Sequence, residues 1–216
     1  MTEAPPTEAP PVRTVGILIF DDVEVLDFCG PFEVFSVART APVPPDERGH
    51  PLFTALTIAE RADPVRCVGG LVVVPAHTID DHPPLDVLVV PGGQGTRRER
   101  TNRRVLDWVA AQAARTPLTT SVCTGAFLLA ADGLLDGRRA TTHWASLDWL
   151  REHHPAVDVR GDLRVVDEGS VITSAGVSAG IDMALHVVRR LHGDAVAAWT
   201  ARRMEYDWAE RSVAAG

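Results

Sequence analysis

The chain has 216 residues, of which 45% are hydrophobic and 23% charged, as in a globular protein with a full core. The net charge of -8 argues against nucleic acid as the main partner, because phosphate binding needs a basic face. No run approaches the roughly 18 apolar residues of a membrane span, and the N-terminal residues lack the pattern of a signal peptide. Three widely spaced cysteines favour a reducing, cytoplasmic compartment and suggest no disulfide framework or metal site.

Hydrophobic patterns along the chain predict strands that alternate with helices. The predicted strands are residues 14–20, 52–58, 85–90, 118–122, 157–159, 163–166 and 171–173. The predicted helices are residues 31–38, 105–114, a segment after Cys123, 145–152, 178–191 and 194–209; residues 21–30 form a loop and residues 65–75 a hairpin. Several strands are apolar throughout, so we predict a doubly wound α/β fold, a mostly parallel sheet with helices on both faces. The predicted organisation is a disordered proline-rich tail (1–11), one domain (12–208) and a C-terminal tail (209–216).

The junction of the predicted strand 118–122 with the next helix is the strongest functional signal. Cys123 lies at this junction, and so tight a turn resembles the nucleophile elbow of hydrolases. Unpaired N–H groups at a helix N-terminus favour a thiolate, which predicts a lowered pKa for Cys123. Free cysteine is also among the most buried residue types, so a structural role is the alternative.

Other polar or flexible residues follow the predicted strands, and ligands in such sheets bind beyond the carboxyl ends of the strands. Gly92, Gly93 and Thr124 offer backbone N–H groups for an oxyanion hole, although the two glycines alone would indicate only a tight turn. Asp27 and Glu24 are acids in a mostly apolar run, where burial and a nearby thiolate would keep a carboxyl protonated. They are alternatively two surface acids.

His143 follows Cys123 by 20 positions. A cysteine with a histidine elsewhere in an intracellular chain is a reasonable nucleophile pattern, although a lone histidine is more often structural.

The run from Ser121 to Trp144 closely resembles the ThiJ/PfpI superfamily, which is related to class I glutamine amidotransferases. Within it, the run is similar to the branch of isonitrile hydratases and of the amidotransferase-like domains of AraC-type regulators. Residues 20–31, 85–93 and 173–182 are also similar, so the resemblance covers about residues 12–208. It implies a flavodoxin-like fold, a homodimer, and Cys123 as the nucleophile.

The resemblance leaves the partner of the sulfur open. Isonitrile hydratases have an acid at the position of Asp27, other branches have a glutamate at that of Glu24, and this chain has both. Proteases of the superfamily have histidine where this chain has Thr124, which argues against protease activity. The regulators add a helix-turn-helix region after this domain, and because the chain ends at Gly216 we expect none here.

The sequence therefore predicts a lyase that hydrates an isonitrile, with Cys123 as nucleophile and Asp27 as general acid and base. Backbone donors of Gly92, Gly93 and Thr124 would assist, and Glu24 and His143 would be secondary. The resemblance implies a small-molecule substrate and no metal or organic cofactor. A ligand-binding or redox-sensing module without turnover is one alternative, and another cysteine hydrolase, glyoxalase-like or amidase-like, is the second.

Overall fold

A computed structural model describes residues 10–40, 49–208 and 213–215. The strands are β1 (Arg13–Leu18), β2 (Phe53–Ala59), β3 (Val65–Arg66), β4 (Val72–Val73), β5 (His77–Thr78), β6 (Val87–Val90), β7 (Leu118–Val122), β8 (Arg139–Ala140), β9 (Asp158–Val159), β10 (Val165–Asp167), β11 (Val171–Ser174) and β12 (Val213–Ala215). The helices are α1 (Val25–Val37), α2 (Thr96–Glu99), α3 (Arg103–Ala113), α4 (Ala126–Ala131), α5 (Leu147–His153), α6 (Ala179–His192) and α7 (Asp194–Arg203). Short 3₁₀ turns cover Val68–Gly70, Cys123–Gly125 and Trp144–Ser146.

The main sheet has eight strands in the order β12-β10-β11-β7-β6-β1-β2-β5. Its strands from β11 to β5 are mutually parallel, and β10 pairs antiparallel with β11. Helices α1, α6 and α7 contact one another, and α4 contacts both α2 and α3, which gives the sheet helices on both faces. The predicted flavodoxin-like, mostly parallel α/β fold is confirmed. The carboxyl ends of β1, β6, β7 and β11 meet at one edge.

The central strands show why apolar runs in the sequence predicted a buried parallel sheet. Every residue of β6 (Val-Leu-Val-Val) and of β7 (Leu-Thr-Thr-Ser-Val) is buried, as expected for parallel strands covered on both faces. One polar side chain of β7 is satisfied within the sheet, because the Thr120 hydroxyl donates to the Leu88 carbonyl at 3.0 Å. The β-branched residues of both strands, Thr119 and Thr120 among them, thus fill the centre of the sheet.

Helix α1 departs most from the sequence prediction. The sequence predicts a loop over residues 21–30 and a helix from Pro31, whereas α1 begins at Val25 and contains Pro31 in its interior. Proline inside a helix removes one backbone hydrogen bond, which is why it signals a helix start more often than a middle. Gly30 and Pro31 are buried, and Gly30 packs against Ile181 of α6. Packing between these helices therefore outweighs the local signal.

The two ends of the chain also differ from the prediction. Helix α7 ends at Arg203, six residues before the predicted end. The predicted C-terminal tail includes β12, which pairs parallel with β10, while residues 209–212 and 216 lie outside the described residues. Residues 1–9 of the predicted N-terminal tail also lie outside them. Among the residues that the structure describes, no helix is both long and apolar enough to cross a bilayer.

Candidate active site

Cys123 occupies a strained position directly after β7. Its φ of 57° lies in the left-handed region, which residues with a Cβ atom rarely adopt. Both backbone groups are held, because the Cys123 N–H donates to the Ala175 carbonyl at 3.2 Å and the Thr142 hydroxyl donates to the Cys123 carbonyl at 2.7 Å. A Cβ atom at Gly125 would lie 2.0 Å from the Val90 carbonyl oxygen, so the turn packs on β6 as only glycine allows. This geometry is the predicted elbow.

Asp27 meets the elbow from the first turn of α1. Its side chain is fully buried, and its two carboxyl oxygens accept hydrogen bonds from the Gly92 and Val177 N–H groups, each at 3.0 Å. The Cys123 thiol also hydrogen-bonds to this carboxyl group. The charge that acts on the Asp27 carboxyl is the negative charge of Glu24. Among the residues that the structure describes, the groups that contact this buried acid are therefore weak donors, and none of them is a cation.

These surroundings shift the ionisation of both partners upward. Burial raises the pKa of Asp27 to about 7, against the opposing hydrogen bonds from Gly92 and Cys123. Burial, and then the charge of Asp27, raise the pKa of Cys123 to about 12, although the Thr124 N–H acts in the opposite direction. Near neutral pH the sulfur therefore keeps its proton and Asp27 is near its midpoint.

The sequence-based expectation of a lowered pKa for Cys123 is therefore wrong, whereas the expected rise for Asp27 is confirmed. The sequence predicts a helix beginning beside the sulfur. The structure places Cys123 in a 3₁₀ turn before the six-residue α4, and the backbone donor that stabilises a thiolate is the Thr124 N–H. This N–H and the hydrogen bond from the Thr124 side chain do not offset burial next to a carboxylate.

The expected oxyanion donors are partly engaged within the chain. The Gly92 N–H donates to Asp27, and the Gly93 N–H donates to the Thr124 hydroxyl at 3.1 Å. The Thr96 hydroxyl lies 3.0 Å from that of Thr124 and 2.8 Å from the Gly93 carbonyl, which fixes this turn. Of the three expected donors, only the Thr124 N–H faces the sulfur.

Glu24 and His143 line the same cavity as Cys123. The cavity is about 260 Å³, and its remaining walls are Val68, Gly93, Gln94, Arg97, Thr124, Ala145, Ser146 and Val177. Glu24 precedes α1 and acts on the Asp27 carboxyl through its charge, whereas Asp27 is the carboxyl that hydrogen-bonds to the thiol. His143 accepts from the Ala145 N–H through Nδ1 at 3.3 Å, which leaves Nε2 for a ligand. The volume suits a small molecule.

The turn after β11 contributes residues to the site that sequence reasoning missed. A Cβ atom at Gly176 would lie 2.3 Å from Cδ2 of His143 and 3.3 Å from the Cys123 sulfur, so this glycine lets the two side chains approach. Val177 has a φ of 55° and directs its N–H to Asp27. The available signal was the small-residue run after β11, at the same sheet edge as Cys123.

Comparison with known proteins decides the family. The model of the DJ-1/PfpI family matches residues 13–190, most of the chain. The chain belongs to the DJ-1/PfpI family. A crystal structure of a ThiJ/PfpI family protein from Pseudomonas syringae has 31% identity and a TM-score of 0.81, and the match covers 97% of this chain and 83% of that one. DJ-1beta of Drosophila melanogaster, at 19% identity and a TM-score of 0.77, shares the fold over 92% of this chain and all of its own.

Curated relatives within the DJ-1/PfpI family differ in function. Isonitrile hydratase of Pseudomonas putida is 38% identical over 192 residues, which is 89% of this chain and 78% of the relative. The transcriptional regulator GbdR of Pseudomonas aeruginosa is 30% identical over 203 residues, which is 94% of this chain but 53% of the regulator. The chain therefore spans about half of that regulator's length. Membership of the DJ-1/PfpI family therefore establishes the fold, whereas the reaction has to be inferred from the residues of the site.

Proposed function

We propose that the protein is a cysteine-dependent hydratase that adds water to a small isonitrile and releases an N-substituted formamide. The observation that carries the proposal is the Cys123 thiol hydrogen-bonded to the buried Asp27 carboxyl beside a small cavity. The 38% identity to isonitrile hydratase supports it. The terminal carbon of an isonitrile reacts with a nucleophile and then with a proton. Cys123 supplies the nucleophile and Asp27 supplies the proton.

The proposed reaction uses one proton shared between Cys123 and Asp27. Asp27 accepts the thiol proton as the sulfur attacks the isonitrile carbon, and then returns that proton to the same carbon, which gives a thioimidate. Water adds to the C=N bond with Asp27 as base. The C–S bond breaks, and the formamide leaves with the thiol restored. A pKa of about 7 suits Asp27 to both accepting and returning a proton at neutral pH.

Three further residues have supporting roles in this proposal. The Thr124 N–H stabilises the negative charge that develops on the sulfur during attack and again as the C–S bond breaks. His143 and Glu24 line the cavity, and their roles in this proposal are to orient the substrate or the incoming water. Neither is assigned the proton transfer, because Asp27 holds the contact with the thiol.

The test is turnover of a small uncharged alkyl isonitrile by the purified protein, followed by NMR as loss of isonitrile and appearance of the N-alkylformamide. We expect stoichiometric conversion over many turnovers, with no conversion by the heat-denatured protein. Conversion no faster than in buffer would refute the proposal. If one equivalent of isonitrile adds to Cys123 and no product is released, the protein has a reactive thiol but is not a hydratase.

A ligand-binding or redox-sensing module is the second candidate, because the chain aligns with a transcriptional regulator over 94% of its length. Such a module would bind a small molecule or oxidise Cys123 without turnover. Saturable binding of isonitrile or formamide, measured calorimetrically without conversion, would favour this candidate. A glyoxalase-like or amidase-like hydrolase is distinguished by the same substrate screen, since its substrates lack the isonitrile carbon.

We also propose that the protein is a cytoplasmic homodimer that binds no nucleic acid. The exposed apolar residues Leu71, Val72 and Val74 in and beside β4, and the exposed Trp144, support a partner surface. The net charge of -8 argues against binding to phosphates. Light scattering should give about twice the chain mass of 23.3 kDa at micromolar concentration, and a mass near 23.3 kDa would contradict the dimer. Salt-dependent retardation of DNA in a gel would contradict the proposal that the protein binds no nucleic acid.

A further inference from the structure

Arg97 differs from its arginine neighbours in α2 and α3. Arg98 pairs with Glu99 and Asp22, Arg103 with Asp107 and Asp132, and Arg104 with Asp80 and Glu60. Within residues 10–40, 49–208 and 213–215, by contrast, no carboxylate lies within ion-pair distance of Arg97. Its hydrogen bond is a long one of 3.3 Å from Nη1 to the Gly93 carbonyl. Most of its guanidinium donors are therefore available.

Arg97 also lines the cavity that contains the Cys123 sulfur. Glu24 lines this cavity too and lies close enough to raise the pKa of Asp27 through its charge. An anionic group on a ligand is therefore repelled by the Glu24 carboxylate and attracted to the Arg97 guanidinium. These two charges give an anionic ligand a defined orientation, with its uncharged reacting group toward the sulfur.

A guanidinium prefers a carboxylate, because its planar fork donates two parallel hydrogen bonds to the two oxygens. The cavity of about 260 Å³ has room for a small molecule, so the carboxylate and the reacting carbon belong to one compact substrate. We propose that Arg97 is the specificity residue of this site and that it binds the carboxylate of the substrate. Because this inference rests on the proposed function, the substrate class is a small isocyano carboxylate.

The first experiment compares isocyanoacetate with its uncharged methyl ester, by kcat/KM for formamide production. Wild type should prefer the acid, and Arg97→Gln should lower the acid-to-ester ratio by about tenfold or more, the effect of one charge-assisted hydrogen bond. Arg104→Gln is the matched control, because this arginine lies outside the cavity and pairs with Asp80 and Glu60. The acid-to-ester ratio of Arg104→Gln should equal that of wild type.

The second experiment does not depend on isonitrile chemistry. Iodoacetate and iodoacetamide alkylate the same sulfur and differ in a carboxylate, so the ratio of their rates at Cys123 reports carboxylate attraction. Arg97→Gln should lower the iodoacetate-to-iodoacetamide ratio several-fold, and Arg104→Gln should not. An equal fall for both reagents would mean that Arg97 acts on the thiol itself, and would overturn the inference.

The two experiments separate the two proposals. If neither isonitrile is converted but the alkylation ratio depends on Arg97, the hydratase proposal fails and the carboxylate-binding role stands. If both isonitriles are converted and neither ratio depends on Arg97, the hydratase proposal stands and the role of Arg97 is refuted.

Discussion

Two buried aspartates in this protein have opposite surroundings. Asp27 is 0% exposed and Asp167 is 6% exposed, so both carboxyl groups are removed from water. Asp27 is met by two backbone N–H groups and a thiol. Asp167 is met by Nε2 of His186 at 2.7 Å, by the Arg190 guanidinium at 3.0 Å and by the Gly169 N–H at 2.8 Å.

The difference lies in the cations. Burial raises the pKa of both carboxyl groups, but at Asp167 the hydrogen bonds from His186 and Gly169 and the charge of Arg190 outweigh it, and the pKa is lowered. At Asp27 no such compensation occurs, and the pKa rises to about 7. Burial therefore moves the pKa of a carboxyl group toward neutrality, as proton transfer requires, only where no cation compensates for it. Asp167 ties β10 to α6, while Asp27 is free to titrate.

The largest expected effect comes from removing the sulfur. Cys123→Ser should lower turnover by more than about a thousandfold, because a hydroxyl ionises far less readily than a thiol, and should leave the fold intact. Cys29→Ser on α1 is the control and should retain most activity, since Cys29 is a half-buried thiol outside the cavity. Isonitrile turnover and circular dichroism measure both. Retention of more than a few per cent of activity by Cys123→Ser would exclude it as nucleophile.

Exchanging each aspartate for asparagine tests the comparison directly. Asp27→Asn keeps the shape but cannot transfer a proton, so kcat should fall by roughly a hundredfold. Asp167→Asn should leave kcat within about twofold, since Asp167 lies on β10 away from the cavity. Glu24→Gln should have an effect between these two. Loss of activity in Glu24→Gln with normal activity in Asp27→Asn would assign the proton transfer to the glutamate.

The pH dependence of stability should differ in sign between the two variants. The folded-state pKa of Asp27 is about 7, above the unfolded value of about 3.9, so its stabilising effect is full at acid pH and is lost as pH rises through 7. Asp27→Asn lacks this loss and should gain roughly 3 kcal/mol relative to wild type between about pH 5 and pH 8.

Asp167 should behave in the opposite way, because its lowered pKa stabilises the fold above the unfolded value and that effect is lost as pH falls. Asp167→Asn should therefore be less stable than wild type at neutral pH, by about 2 kcal/mol for hydrogen bonds to a charged group. Urea unfolding of both variants at two pH values measures this. Parallel pH profiles for the two would contradict the assigned surroundings.

The smallest effect concerns the turn that carries the Val177 N–H. Arg164 holds this turn, because its carbonyl accepts from the Ala175 N–H at 2.9 Å and its guanidinium donates to the Ser178 hydroxyl at 2.9 Å and to Asp182. Arg164→Gln should lower kcat/KM by about fivefold through misplacement. It should also raise the pH at which activity appears, since the Val177 N–H lowers the pKa of Asp27.

The control for Arg164 is Arg160→Gln, because Arg160 pairs with the exposed Asp162. It should change neither the rate nor the pH profile. A loss of stability in Arg164→Gln with an unchanged pH profile would mean that Arg164 supports the fold and does not position Val177.

Much of this site was predictable because it lies at strand ends. The apolar runs located β1, β6 and β7, and parallel strands bring Asp27, Gly93 and Cys123 to one edge. The contact between Val177 and Asp27 was not predictable, because it joins residues 150 positions apart. Its geometry depends on how α1 packs against α6, and no local pattern encodes that.

The ionisation of Cys123 was mispredicted for a related reason. Sequence gives the order strand, cysteine, small residues, from which a helix N-terminus and a thiolate follow. It does not give the burial of the sulfur or the carboxyl group beside it, and these determine the sign of the pKa shift. Asp27 and Cys123 are far apart in the sequence, so the effect of one on the pKa of the other can be seen only in the folded structure.

The most direct test of the central claim, that Cys123 and Asp27 titrate as a pair, is the pH dependence of the rate at which iodoacetamide alkylates Cys123. In wild type the rate should rise through an inflection near pH 7, because the ionised Asp27 carboxylate becomes available to accept the thiol proton. Asp27→Asn should lack this inflection. A single inflection near the ordinary thiol value of about 8.5 in both proteins would contradict the account.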